Sequence, residues 1–317
     1  MTEIYKIVFC GLDFAGKTSI LKVLEGSYSG LDRIKPTLGR KRTEWDILGG
    51  FKVINWDLGG QEQYRKEYLA NVDQVLRDTN LLIFVVDVQD AERFKDASVY
   101  FNDILTAFDS LEIKAPVLLC LHKIDPDVIE HPHIIKNLKK LTEMFSAYSQ
   151  EHGVEIQVYK TSIFDRKSLV EMFSYGIRQL IPVGILSKIL EEFRHETNKL
   201  GLIGAILFDQ NFFIVGNSFE NTATQNMTYK SINSFITMMR DFKGVYNEDR
   251  QINFNLSITN GTTYRFMVQK FSSALNPYYL LIMGATDLKA NEIFPLFQNK
   301  FLAKIDQSLK DIMKSLE

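Results

Sequence analysis

Residues 11–18 read Gly-Leu-Asp-Phe-Ala-Gly-Lys-Thr, which has the spacing G-x-x-x-x-G-K-[ST]. Those residue types suit a polyphosphate. Gly11 and Gly16 let backbone N–H groups curl around an anion at a helix N-terminus, where the peptide dipoles favour negative charge. Lys17 supplies a point charge for the terminal phosphates, and Thr18 supplies a hydroxyl for Mg²⁺. Gly11, Asp13, Ala15, Gly16, Lys17, Thr18 and Ser19 are therefore the candidate nucleotide-binding segment.

Four further segments follow in an order that gives each a task. Thr37, in Ile34-Lys35-Pro36-Thr37-Leu38-Gly39, is the natural second Mg²⁺ ligand, in a loop that orders when a terminal phosphate is present. Trp56-Asp57-Leu58-Gly59-Gly60-Gln61 supplies three groups: Asp57 for Mg²⁺, the Gly60 amide for the phosphate and Gln61 to orient the attacking water. In His122-Lys123-Ile124-Asp125 the carboxylate can accept both N–H groups on the guanine edge while the Lys123 stem packs along the base. A paired polar contact of this kind rejects the wrong base by about 10⁴-fold or more. Behind Thr161, the backbone N–H groups of Ser162 and Ile163 can meet the guanine carbonyl.

The elements that must position these residues alternate through the first half. Apolar runs at Ile4–Cys10, Lys52–Trp56, Leu81–Asp87, Pro116–Leu121 and Ile156–Tyr159 are separated mostly by segments of helical period, such as Ile134, Leu138, Leu141, Phe145 and Tyr148. That grammar predicts a mostly parallel sheet covered on both faces. Thr43–Leu48 and Phe51–Trp56 flank Gly49-Gly50, a hairpin signal that makes one edge strand antiparallel. After Leu180-Ile181-Pro182 the pattern changes. A helix over Gly184–Leu200, strands at Leu202–Phe208 and Phe212–Gly216 and a helix over Thr228–Phe242 come first. Strands at Ile252–Thr259, Thr263–Lys270 and Tyr278–Met283 follow, the first two joined by Asn260-Gly261, and a last helix starts at Lys289. The expectation is one meandering antiparallel sheet with helices on its faces, and two domains, 1–183 and 184–317.

Composition narrows the partners. With 37 Lys and Arg against 39 Asp and Glu, the net charge of −2 asks for neither nucleic acid nor an anionic membrane. Cys10 and Cys120 each end an apolar run and read as small buried hydrophobes in a reducing compartment. The start, MTEIYKIVF, has neither a signal-peptide layout nor Gly at position 2. The expected location is the cytoplasm, with no direct membrane insertion and any membrane recruitment made through partners.

With all five segments in order, residues 1–183 resemble the Ras superfamily of small GTPases. GLDFAGKTS and WDLGGQE are similar to the Arf branch, while HKID, TSIFD and the closing QLIP are similar to the Rag/Gtr family. The resemblance implies a P-loop GTPase domain with a six-stranded sheet, followed by an α+β roadblock or longin-like domain that dimerises, with itself or with a paralogue. His122 stands where such proteins usually have Asn tying the base loop to the phosphate loop, and can make a similar bond. Asp13 stands where many Ras-like proteins have Gly, while Arf-like proteins also carry Asp there.

The implied activity is a switch that binds GTP and GDP with Mg²⁺ and hydrolyses GTP slowly, its loops controlling partner binding. Gln61, Lys17 and Thr37 carry the chemistry; Thr18, Thr37 and Asp57 hold the metal. No arginine has an obvious claim to act in cis, since Arg33, Arg40 and Arg42 around Thr37 read as solvated charges. GTPase-activating and exchange partners are therefore expected. A scaffold that holds nucleotide without cycling is the first alternative, against which the intact Lys17, Thr18, Thr37, Asp57 and Gln61 weigh. An ATPase is the second, and Lys123 and Asp125 disfavour it. In the second domain, Tyr229, Ile232, Phe235, Ile236, Met238 and Met239 give one helix a wide apolar face, the expected dimer surface.

Overall fold

A computed structural model describes residues 4–26, 31–48, 50–241, 252–257, 263–273, 275 and 277–316. The chain forms two compact units, one of Ile4–Trp45 and Lys52–Leu180, the other containing Asp46–Phe51 and Ile181–Glu317.

In the first unit the strands are β1 (Ile4–Cys10), β2 (Arg40–Ile47), β3 (Phe51–Leu58), β4 (Thr79–Asp87), β5 (Val117–His122) and β6 (Ile156–Lys160), in the sheet order β2-β3-β1-β4-β5-β6. β1 pairs in parallel with β3 and β4, β4 with β5, and β5 with β6. β2 sits at the edge beside β3, three residues away in the chain, a connection only an antiparallel pair allows. Of the Gly49-Gly50 hairpin signal, Gly49 lies outside the described residues.

Helices α1 (Lys17–Leu24), α2 (Glu62–Ala70), α3 (Val72–Leu76), α4 (Phe94–Ser110), α5 (Pro132–Glu151) and α6 (Arg166–Leu180) cover the sheet. α1 packs on α6, and α4 on α2 and α5. β4 and β5 are almost wholly buried because helices cover both their faces. Under α4 and α5, Phe84, Phe101 and Phe145 meet with ring centroids 4.8–6.0 Å apart, the tilted contacts that aromatic quadrupoles favour. All five parallel strands end on the same edge of the sheet, so the loops after β1, β3, β4, β5 and β6 are neighbours there.

The second unit is built on α7 (Gly184–Thr197), β7 (Leu202–Phe208), β8 (Ile214–Phe219), α8 (Thr222–Asp241), β9 (Ile252–Ser257), β10 (Thr263–Ser272), β11 (Pro277–Gly284), α9 (Ala290–Leu296) and α10 (Leu302–Leu316). Its sheet is antiparallel, as expected, but not one meander: the order is β8-β7-β11-β10-β9. β7 and β11 carry the longest buried runs and so occupy the interior, paired with each other. β8 and β9, neighbours in sequence, are driven to opposite edges.

Of the boundaries that differ from the sequence reading, two show their cause. β8 starts at Ile214 rather than Phe212, because the Asp209 carboxylate accepts the N–H groups of Asn211 and Phe213, both at 2.9 Å, and holds the turn closed through Phe213. α8 starts at Thr222 rather than Thr228, because Asn221 caps it, its side-chain oxygen accepting the Thr224 N–H at 2.9 Å. Part of the wide apolar face read on this helix is described. Ile232 and Phe235 are fully buried within the single chain, and the Tyr229 hydroxyl accepts a bond from Asn217. The side chains of Ile236, Met238 and Met239, and the Asn260-Gly261 turn, lie outside the described residues. Among those residues, no single helix is long and apolar enough to cross a membrane.

Asp209 gives this unit a pH dependence. It is completely buried, and burial pushes its carboxyl up to about 7 against the N–H donors of Phe213, Asn211 and Leu48. A carboxyl raised in the folded state stabilises below its unfolded value near 4, and that contribution is lost as pH rises through 7. Amide protection at Asn211 and Phe213, corrected for intrinsic exchange, should therefore fall between pH 4 and 7 by at most about 1.4 kcal/mol per pH unit. Asp209→Asn should flatten that slope.

Candidate functional site

The chain leaves β1 at Gly11 with φ 135°, and a Cβ there would lie 2.2 Å from the Val85 carbonyl oxygen. The loop re-enters a helix at Gly16, also left-handed at φ 99°. Between them Phe14 holds φ 59°, a conformation costing an ordinary residue about 1–2 kcal/mol, so its surroundings impose it. Lys17 lies within the loop, its Nζ donating to the carbonyls of Gly11 at 3.1 Å and Leu12 at 2.7 Å. Burial lowers its pKa to about 8, with Asp57 the largest opposing influence.

Three elements meet at Asp57. Thr18, in the first turn of α1, donates to Asp57 Oδ2 at 2.6 Å; Thr37, from the loop before β2, donates to the same oxygen at 2.9 Å. The two threonine oxygens are 2.8 Å apart. Asp57 Oδ1 is buried without a hydrogen-bond partner, as is Gln61 Oε1. Next to this knot the two glycines act as spacers. A Cβ on Gly59 would lie 2.6 Å from the Thr37 carbonyl oxygen, and one on Gly60 would lie 2.1 Å from the Asp13 amide nitrogen. Backbone rests on backbone here, which no side chain permits. The Gly59 N–H and the Tyr68 hydroxyl both donate to Gly39 O, at 2.8 and 2.6 Å, and so fix the end of the Thr37 loop.

A cavity of about 210 Å³ is lined by Asp13, Gly16, Lys17, Thr18, Ser19, Thr37, Gly60, Gln61 and Lys123, among others. Gly11, Ala15, Asp57, His122, Asp125, Ser162 and Ile163 are not among the lining residues. Ser162 Oγ donates to Asp125 Oδ1. Lys123, at φ 65°, donates its Nζ to Asp87 Oδ2 at 2.6 Å. His122 bonds Thr161 Oγ1 through Nδ1 at 2.8 Å, and its Cδ2–Nε2 edge lies where a Cβ on Gly16 would be. The bond foreseen for His122 to the phosphate loop is thus replaced by packing of the ring edge against Gly16. Burial lowers the His122 pKa to about 3, so the ring is neutral. A larger cavity of about 860 Å³, between the ends of α4, α5 and α6, contains none of these residues.

Several neighbours of the site were not foreseen. Asp87, which holds Lys123, is the last residue of β4, a carboxylate closing an apolar strand that could have marked it. Arg65 donates Nε to the Gly60 carbonyl at 3.1 Å, and Arg93 donates to Asp13; no motif signals either. Arg40 and Arg42, read as solvated charges, lie over the Trp56 ring, 5.6 and 3.9 Å from its centroid.

Comparison with known proteins agrees with this geometry. The sequence profile of the Gtr1/RagA G protein conserved region matches residues 6–236. The chain is 26% identical over 291 residues to GTP-binding protein gtr1 of Schizosaccharomyces pombe, covering 88% of each chain. It is 23% identical to Ras-related GTP-binding protein A of Dictyostelium discoideum, over 90% of this chain and 92% of that one. An ADP-ribosylation factor-like protein 3 of Caenorhabditis elegans is 34% identical, over 38% of this chain and 61% of its own.

The neutral His122 sets an acid limit on the first unit. A base whose pKa is lowered on folding stabilises above its unfolded value near 6.5, and that contribution is lost as pH falls towards 3. The only two tryptophans, Trp45 and Trp56, both belong to this unit. Denaturation followed by their fluorescence should show stability falling below pH 6.5, and His122→Asn should make the fall shallower.

Proposed function

Because the chain belongs to the Gtr1/RagA G protein family, we propose that it is a GTP-binding switch in which the Thr37 loop reports the terminal phosphate. The observation that carries this reading is the shared carboxylate of Asp57, which ties a phosphate-loop residue, Thr18, to a loop residue, Thr37. A ligand that takes both hydroxyls adds to the hold on the loop, and losing it leaves the loop on a few polar bonds of the protein alone.

The oxygens fit Mg²⁺. Two hydroxyls and a carboxylate with one buried, unpartnered oxygen are hard donors of the kind this ion takes alongside phosphate and water. Bound there, the ion would neutralise charge on the phosphate oxygens. Lys17 Nζ can exchange its loop carbonyls for phosphate oxygens, and the Gly60 N–H stands at the same end of the cavity. Gln61 Oε1, already buried without a partner, is free to accept from the attacking water. The carboxylate of Asp125, steadied by Ser162, takes the guanine edge, with Lys123 held against it by Asp87. Slow turnover follows from the arginines: Arg40 and Arg42 lie over Trp56, Arg65 holds Gly60 and Arg93 holds Asp13. A GTPase-activating partner that adds a cation raises such rates by about 10³- to 10⁵-fold.

The second unit is read as a roadblock-like dimerisation module, supported by its element order and its two edge strands, β8 and β9. The protein acts in the cytoplasm and reaches membranes through its partners. Sedimentation of the full chain at tens of micromolar tests self-pairing, and a monomer there leaves pairing with a paralogue. Ile232 is unsuited to that test, since a charge placed on so buried a side chain unfolds the unit.

Three variants separate the roles. Gln61→Leu should lose most hydrolysis while GTP affinity stays within about twofold, because the side chain acts on water. Lys17→Ala should lose nucleotide binding itself. Asp125→Asn should weaken GTP by about 10²-fold or more and improve xanthosine triphosphate, whose base has a carbonyl where guanine has an amine. Equal turnover in wild type and Gln61→Leu would remove Gln61 from the chemistry.

A further inference from the structure

A carboxylate in the third position of a phosphate-binding loop is an electrostatic anomaly. Asp13 lines the same cavity as Lys17 and Gln61, where the ligand carries several negative charges. Left unpaired, it would repel that ligand across a few ångströms of partly excluded solvent. The structure supplies a counter-charge from the loop after β4. Arg93 Nη2 donates to Asp13 Oδ1, and Arg93 Nη1 donates to the Asp13 main-chain oxygen at 3.2 Å. The guanidinium thus grips both the side chain and the peptide that follows it, a two-point hold that a lysine cannot copy.

The grip is rigidly presented. Arg93 closes a single 3₁₀ turn, Ala91–Arg93, and directly precedes Phe94, which is buried at the start of α4. On its other side, Asp13 is held by Gly60, whose α-carbon lies against the Leu12–Asp13 peptide. The Asp13 backbone is therefore clamped between Arg93 and the segment that carries Gln61. This is the end of the cavity assigned above to the terminal phosphate.

We propose that Arg93 is a positioning residue of the nucleotide site, which neutralises Asp13 and fixes its peptide so that the loop accepts the terminal phosphate and favours GTP over GDP. The proposal rests on the guanine-nucleotide reading above. Without Arg93 the freed carboxylate faces the terminal phosphate, and a diphosphate, lacking that group, suffers less.

The test is a titration of the full chain with fluorescent GDP and a fluorescent non-hydrolysable GTP analogue. The proteins are wild type, Arg93→Ala, Arg93→Lys, Asp13→Gly and the double variant Arg93→Ala with Asp13→Gly. Arg93→Ala should weaken the GTP analogue about tenfold or more and GDP only about two- to threefold, with the difference shrinking as salt rises. Arg93→Lys, keeping the charge but not the fork, should fall between. In the Asp13→Gly background, adding Arg93→Ala should no longer weaken the GTP analogue more than GDP, even if Arg93→Ala alone folds poorly. Wild-type binding of both nucleotides by Arg93→Ala overturns the proposal alone. An equal loss of both that Asp13→Gly does not rescue also overturns it, as it marks a merely structural role. A wild-type chain that binds neither nucleotide overturns this proposal and the functional reading together.

Discussion

Thr18 at the start of α1 and Thr37 in the loop before β2 share one carboxylate oxygen of Asp57 at the end of β3. The three segments have different reasons to be there. α1 is fixed by the left-handed glycine that starts it, and β3 by its parallel pairing with β1. The Thr37 loop has little burial of its own, since Lys35 to Leu38 are mostly exposed. Its placement comes from Asp57, from the Gly59 N–H and from the Tyr68 hydroxyl. A loop held by a few polar bonds rather than by apolar packing sits at the low-stability end of a fold, where a ligand can decide its position.

Around that knot the sheet keeps charge under control. Lys17 is buried on loop carbonyls, Lys123 is paired with Asp87 and Asp13 with Arg93, while His122 stays neutral in its packed site. Lys17, Lys123 and Asp13 thus each have a partner within the protein. Binding exchanges one set of partners for another, which avoids leaving a buried charge alone at any stage.

How much of this could be read from residues depends on how locally each feature is encoded. The phosphate loop, Asp57, Gln61 and Asp125 lie in short motifs directly after strands, and the strands themselves are contiguous apolar runs, so all were legible. Arg93 was not, because its partner is 80 positions away and the contact follows from β1 and β4 being neighbours. The strand order of the second unit was equally hidden. A hairpin turn is a local signal, but placing β7 beside β11 is a long-range choice made by burial. Even the β8 boundary turned on a side-chain competition, with Asp209 drawing in the N–H groups of Asn211 and Phe213. Residues of that kind compete with regular structure in a way that propensity alone does not locate.

β6, the last strand of the first sheet, closes its edge beside β5 and is followed directly by Thr161 and Ser162, the supports of His122 and Asp125. The phosphate loop, by contrast, follows the very first strand. During synthesis the loop therefore leaves the ribosome roughly 140 residues before the base-binding side can be assembled. At about 5–20 residues per second that interval is on the order of ten to thirty seconds. Until β6 is made, the sheet that contains β1 and β4 lacks one edge strand. Cellular nucleotide cannot shorten this wait by templating the site. Assembly of the base-binding side thus waits on one late, short strand.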